Sequence, residues 1–103
     1  MTTKTHFLYK LVPPRPTFFA DQTEQEQKVM ADHVAYWSQL LSAGTAVAFG
    51  PVLDPAGVFG VAVVEADGDA ELARIAAGDP VVQAGIGTIE TYPMPGAIVR
   101  PAA

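Results

Sequence analysis

The segment TEQEQKVMADHVAYWSQLLSAGTAVAFGPVLDPAGVFGVAVVE, residues 23–65, predicts a helix followed by a β-hairpin. Thr23 and Glu26 have the spacing of a capping box, in which a hydroxyl and a carboxylate each accept from the other residue's backbone N–H. Gly44 is a typical residue just beyond a helix end, so the helix is predicted to run to about Ala43. Its apolar stripe has helical spacing and comprises Met30, His33, Val34, Trp37, Leu40 and Leu41.

The hairpin is predicted from two apolar runs, residues 45–53 and 58–65, that flank Asp-Pro-Ala-Gly. In this turn proline fixes one backbone angle and glycine permits the exit. Small residues recur at alternate positions of the first strand, at Ala46, Ala48 and Gly50. We therefore expect these three to share a face on which a helix packs closely.

Outside this segment the chain adds a strand before it and a helix and a strand after it. Residues 5–12 predict the first strand, residues 69–77 a second helix, and residues 86–92 the last strand. Between the last two, residues 79–85 predict one further helical turn with Asp79 as N-cap and proline in the first helical position.

The predicted order β-α-β-β-α-β is that of the ferredoxin-like, split β-α-β arrangement, an α+β fold. Four antiparallel strands then carry helices on one face only. The other face would be open in a monomer, so we expect a homodimer that covers it. With 103 residues the chain is expected to form a single domain, residues 1–103.

Composition excludes several classes of function. The net charge is −5 and the six cations are scattered, which argues against nucleic acid and anionic membranes as partners. The absence of cysteine excludes disulfides, thiolate nucleophiles and cysteine-based zinc sites. We expect a soluble, cytoplasmic protein, because neither a signal peptide nor a run of about 18 apolar residues occurs.

His33 and Asp79 are the candidate catalytic pair. An imidazole on the apolar face of a helix requires a polar partner, because an unpaired buried polar group is costly. A carboxylate that holds a histidine is the smallest unit of acid–base chemistry. The alternative is structural: His33 could bond a carbonyl or a serine such as Ser38 or Ser42, and Asp79 could act only as a helix cap.

The predicted substrate pocket lies around this pair and comprises Trp37, Arg15, Phe18, Phe49, Gly50 and Pro51. Residues 13–21 form a loop with three prolines that is unusually aromatic, so Phe18 and Phe19 are expected to be buried. Arg15 is either a solvated charge or a lid residue that grips an anionic substrate. Trp37, one turn from His33, either lines the pocket or belongs to the core or dimer contact.

No metal or cofactor is expected. Two ligands are too few for a metal site, which normally needs three or more from the protein. The glycines never take the spacing of a dinucleotide or phosphate loop.

Three motifs together resemble the YciI-like (YCII-related) family of the dimeric α/β-barrel superfamily. These are His33 with Trp37 and Leu40 ahead of Gly44, Phe-Gly-Pro at residues 49–51, and Asp-Pro-Val-Val-Gln-Ala-Gly at residues 79–85. The resemblance covers residues 5–95. It implies a homodimer whose sheets stack face to face around a cleft, and it matches His33 and Asp79 to the family's active-site pair.

The reactions of relatives imply small organic substrates. One relative is associated with dehydrochlorination of a chlorinated hydroxyquinol, and other branches of the superfamily isomerise lactones or oxidise small aromatics. The loop at residues 13–21 departs from the family pattern, being longer and more aromatic. We expect a cofactor-independent lyase or isomerase that uses His33 and Asp79; the alternative is a non-catalytic dimer that binds a small ligand or a partner.

Overall fold

The computed structural model describes residues 4–101 and contains four strands and three helices. In chain order these are β1 (Thr5–Val12), α1 (Glu24–Ser42), β2 (Ala46–Val52), β3 (Phe59–Ala66), α2 (Asp69–Gly78), α3 (Pro80–Gln83) and β4 (Thr88–Pro93). The strands form one open sheet in the order β2-β3-β1-β4, and every neighbouring pair is antiparallel. The predicted α+β class and the antiparallel four-stranded sheet are confirmed.

The capping box predicted for α1 is present. The Thr23 hydroxyl accepts the backbone N–H of Glu26 at 3.1 Å, and the Glu26 carboxylate accepts the backbone N–H of Thr23 at 2.9 Å. The helix ends before Gly44, whose φ of 83° lies in the left-handed region that favours glycine.

No helix within residues 4–101 is long and apolar enough to cross a membrane.

The core lies between one face of the sheet and the helices. Alternate residues of β1 point to this face, and Phe7, Tyr9 and Leu11 are all buried. Trp37 of α1 and Ile75 of α2 form one core cluster with Phe7 and Tyr9. The opposite face carries the other residues of β1 and β3, which are partly exposed.

A β-bulge in β2 corrects one expectation about packing. The register shifts between Ala46 and Ala48, so Ala46 and Phe49 face the helices while Ala48 lies opposite Val63 on the other face. Strict alternation predicted that Ala46, Ala48 and Gly50 would share one face. A single extra residue reverses the facing of everything beyond it, because side chains alternate along a strand.

Gly87 is expected to be the glycine whose replacement costs most. Its φ is 73°, and a Cβ placed there would lie 2.4 Å from the backbone oxygen of Val12. Gly85 has a similar φ of 69°, with open space around its Cβ position. We expect Gly87→Ala to lower the free energy of unfolding by about 3 kcal/mol and Gly85→Ala by about 1 kcal/mol, measured by urea denaturation. Equal costs for the two variants would contradict the close approach of Gly87 to β1.

Candidate functional site

Asp79 lies at the junction of α2 and α3 and is fully buried. Its side chain caps α3 by accepting the backbone N–H of Val81 at 3.1 Å, and Pro80 occupies the first position of the helix. The sequence predicted this local arrangement, since aspartate before proline is a strong helix start. The cap fixes the carboxylate beneath α1.

The carboxylate of Asp79 accepts four hydrogen bonds, two on each oxygen. Oδ1 lies 2.7 Å from Nδ1 of His33 and also caps Val81. Oδ2 accepts the indole N–H of Trp37 and the hydroxyl of Tyr9, each at 2.9 Å. Four donors from β1, α1 and α3 therefore converge on one buried anion.

The surrounding donors keep Asp79 ionised. Burial by itself would raise the pKa of this carboxyl, but the hydrogen bonds from His33 and Trp37 outweigh burial and hold the pKa below its usual range. Burial, followed by the charge of Asp79, raises the pKa of the Tyr9 hydroxyl far above its ordinary value. Tyr9 thus remains a hydrogen-bond donor and Asp79 an acceptor.

The ionised state of Asp79 determines which ring nitrogen of His33 carries the hydrogen. An ionised carboxylate can only accept hydrogen bonds, so Nδ1 carries the hydrogen that joins His33 to Asp79. In the neutral ring the lone pair is then on Nε2. Among residues 4–101 no side chain or backbone group hydrogen-bonds to Nε2, and 14% of the His33 side chain is exposed.

His33 borders a cavity of about 210 Å³ between α1, the sheet and the loop that precedes α1. The walls are almost entirely apolar and include four aromatic rings. The lining residues are Tyr9, Leu11, Phe19, Met30, His33, Val34, Trp37, Phe49, Gly50, Pro51, Gly60, Val61 and Ala62.

Only three of these lining residues have polar side chains: Tyr9, His33 and Trp37. The hydroxyl of Tyr9 and the indole N–H of Trp37 are both bonded to Asp79. Nε2 of His33 is therefore the polar ring atom of these three side chains that has no hydrogen-bond partner among the described residues. No lysine, arginine, aspartate or glutamate lies in that lining.

The structure brings together most of the predicted site residues. His33 and Asp79 are in contact, and Trp37, Phe49, Gly50 and Pro51 line the cavity. Asp79 itself lies behind His33, outside the lining.

Two predicted pocket residues lie elsewhere. Phe18 is fully buried beside the cavity residue Phe19. Arg15 is outside the lining and binds the carboxylates of Asp21 and Glu26, so it does not offer the cavity the grip on an anion that its sequence position suggested.

The hydrogen bond from Tyr9 to Asp79 was not predicted from the sequence. Alternation along β1 puts Tyr9 on the same face as Phe7 and Leu11, but it indicates no partner for the hydroxyl, because Asp79 is 70 positions away. Phe19 was expected only to be buried with Phe18, but it is 38% exposed and lines the cavity. Within residues 4–101 no group of three or more histidine, cysteine, aspartate or glutamate side chains could hold a metal ion.

Comparison with known proteins gives one family and several solved structures. A sequence model of the YCII-related domain matches residues 9–94. A crystal structure of NE2512, a protein of unknown function from Nitrosomonas europaea, is similar at a TM-score of 0.48 and 18% identity, over 98% of each chain. No curated protein matches the chain.

Proposed function

The chain belongs to the YCII-related domain family, and we propose that within this family it is a cofactor-independent enzyme that moves a proton on a small, uncharged organic molecule. The match confirms the resemblance predicted from the sequence. The family's description names no reaction, so the support for this function comes from the geometry of the site.

The observation that carries the proposal is the His33–Asp79 contact at the edge of the apolar cavity. Asp79 holds the hydrogen on Nδ1, which leaves Nε2 of the neutral ring to accept a proton from a bound molecule. The imidazolium that forms is stabilised by the carboxylate 2.7 Å away. A positioned base of this kind typically accelerates proton transfer by about 10²–10⁴-fold.

The cavity lining favours an uncharged substrate. Its described walls contain no cation, and the nearby Arg15 is bonded to two carboxylates. An anion that entered would lose its hydration without gaining an ion pair. A neutral molecule with one acidic hydrogen would instead stack on the aromatic walls and donate that hydrogen to Nε2.

Isomerisation and elimination both fit a single base. In an isomerisation His33 removes a proton from one carbon and returns it to another position of the same conjugated system. In an elimination the proton goes to Nε2, the C–H electrons form a double bond, and the leaving group departs with its electron pair. Neither reaction needs an electron acceptor.

The proposal is tested by incubating the protein with unsaturated lactones and halogenated phenols in D₂O, followed by proton NMR. We expect at least one compound to exchange an acidic C–H for deuterium, or to isomerise or release halide, faster than in buffer. A compound that shifts the ring resonances of His33 and stays unchanged would favour the second candidate.

That second candidate is a non-catalytic module that binds a small ligand. Asp79 joins β1, α1 and α3 through its four hydrogen bonds, which is the arrangement of a structural anchor. In this case His33 would contribute to stability and to ligand contact only. The two candidates differ in whether Nε2 of His33 accepts a proton from the bound molecule.

We also propose that the protein acts as a homodimer joined through the open sheet face. That face carries apolar residues on neighbouring strands, among them Leu8 of β1, which lies opposite Val63 of β3 and Tyr92 of β4. Tyr92 is 47% exposed. An apolar, pleated surface of this kind is commonly covered by a second copy.

Leu8→Glu is expected to convert the dimer into a monomer, because it places a charge at the centre of the open face. Leu53→Glu is the matched control: Leu53 is 79% exposed but lies between β2 and β3, beyond the paired strands. Sedimentation velocity distinguishes the two states. A wild-type protein that sediments as a monomer at all concentrations would contradict this part of the proposal.

A further inference from the structure

We propose that Arg15 is a positioning residue that locks residues 13–21, the cavity loop, onto α1, so that Phe19 closes the outer side of the cavity. The inference rests on the proposed function only in taking the cavity as the place where a ligand binds. In this role Arg15 controls access to the cavity and does not contact the ligand.

Arg15 uses all three nitrogens of its guanidinium within the protein. Nη1 and Nη2 donate to the two carboxylate oxygens of Glu26 at 2.9 and 2.8 Å, which is a bidentate pair. Nε donates to the carboxylate of Asp21 at 2.9 Å, and Nη2 also reaches the backbone oxygen of Asp21 at 3.0 Å. One side chain thus joins both ends of the cavity loop to the helix.

Glu26 links the cavity loop to the start of α1. The same carboxylate that binds Arg15 accepts the backbone N–H of Thr23 in the capping box. Hydrogen bonds from Arg15, followed by that from Thr23, lower the pKa of Glu26 to about 2. The ion pair is therefore fully charged at neutral pH.

A short series of contacts connects Arg15 to the cavity wall. The guanidinium lies over the ring of Phe18 at 5.3 Å from its centroid, and Phe18 is fully buried. The rings of Phe18 and Phe19 meet edge to face, with centroids 5.2 Å apart. Phe19 is 38% exposed and also lines the cavity, so it lies between the cavity and solvent.

Arg15 makes the polar contacts that could hold the cavity loop, and with it Phe19, against α1. Among the described residues, every side-chain hydrogen bond between the cavity loop and α1 is made by Arg15. The remaining loop bonds are internal, such as the 2.6 Å bond from the Thr17 hydroxyl to Asp21. Removing the guanidinium should leave the loop folded on Phe18 and let it separate more often from the helix.

Trp37 provides a direct measure of that opening. It is the one tryptophan of the chain, lines the cavity and is 1% exposed. If Phe19 closes the cavity as proposed, acrylamide, a small uncharged quencher, reaches Trp37 mainly when the cavity loop opens. We expect Arg15→Gln to raise the bimolecular quenching constant of Trp37 about fivefold.

Three further variants define the result. Arg15→Lys keeps the charge without the bidentate geometry and should give an intermediate increase. Phe19→Ala removes the wall itself and should give the largest increase. Arg74→Gln, at an exposed position of α2, changes the net charge equally and should leave quenching unchanged.

Quenching is measured under conditions in which urea titration shows each variant to be fully native. A lowered free energy of unfolding therefore does not by itself change the quenching constant of Trp37. If Phe19→Ala increases quenching and Arg15→Gln does not, Arg15 does not hold the cavity loop and the inference is wrong. If neither variant increases quenching, Phe19 is not the barrier and the inference is equally wrong. The measurement needs no substrate, so a failure to find turnover leaves its outcome intact.

Discussion

Asp79→Ala is expected to lower the free energy of unfolding by about 4 kcal/mol. The substitution removes the acceptor of four hydrogen bonds at a position with no solvent exposure. The indole N–H of Trp37 and the backbone N–H of Val81 would have no partner, and α3 would lose its cap. Each buried donor without an acceptor costs about 1–3 kcal/mol.

Asp79→Asn is the matched control because it preserves the volume of the side chain. Its amide can offer only one oxygen, so either orientation turns an NH₂ group towards donors that the carboxylate accepted. One orientation leaves Trp37 without an acceptor and the other leaves Val81 without one. We expect a loss of about 2 kcal/mol, intermediate between wild type and Asp79→Ala.

Urea denaturation followed by circular dichroism measures both variants. A loss below about 1 kcal/mol for Asp79→Ala would show that water satisfies the donors, and would contradict the role of Asp79 as a buried anchor. Retention of full stability by Asp79→Asn alone would instead indicate that the charge of the carboxylate contributes nothing.

His33→Asn is expected to reduce turnover by about 10²–10⁴-fold while changing the free energy of unfolding by about 1 kcal/mol or less. The amide nitrogen of asparagine and Nδ1 of histidine are both two bonds from Cβ. Asparagine can therefore still donate to Asp79, while nothing replaces the lone pair of Nε2. The variant separates the base from the structural hydrogen bond.

His33→Gln provides the converse variant. The amide of glutamine reaches the position of Nε2 and leaves Asp79 without its donor at 2.7 Å. We expect it to be inactive and less stable than His33→Asn. Turnover in wild type and His33→Asn at equal rates would show that Nε2 is not the base, and the proposed role of His33 would then be wrong.

Local sequence signals predicted the elements that position the site. The capping box at Thr23 and Glu26 and the Asp-Pro start of α3 depend on residues within one helical turn, so their spacing is sufficient. The contact between His33 and Asp79 was one of two interpretations of the sequence, since a buried imidazole needs a polar partner and a carbonyl or a nearby serine was the alternative. The apolar stripe of α1 similarly indicated that Trp37 would be buried.

The features that sequence reasoning missed depend on distant parts of the chain. The bonds from Tyr9 and Trp37 to Asp79 join positions 70 and 42 residues apart, and nothing local specifies them. The bulge in β2 has no signal in a run of small apolar residues. Arg15 was interpreted as a solvated charge or as a lid residue that grips an anionic substrate, because nothing in the local sequence indicates its pairing with Glu26, 11 positions away.

The most direct test of the account is the tautomer of His33, read from the ring ¹⁵N resonances by two-dimensional NMR with the protein titrated until the ring is neutral. The chain has only two histidines, so a His6→Asn sample completes the assignment. We predict that neutral His33 carries its hydrogen on Nδ1 and that Nε2 is bare, because Asp79 accepts from Nδ1. A neutral ring protonated on Nε2 would contradict the account, since it would turn a donor rather than a base towards the cavity.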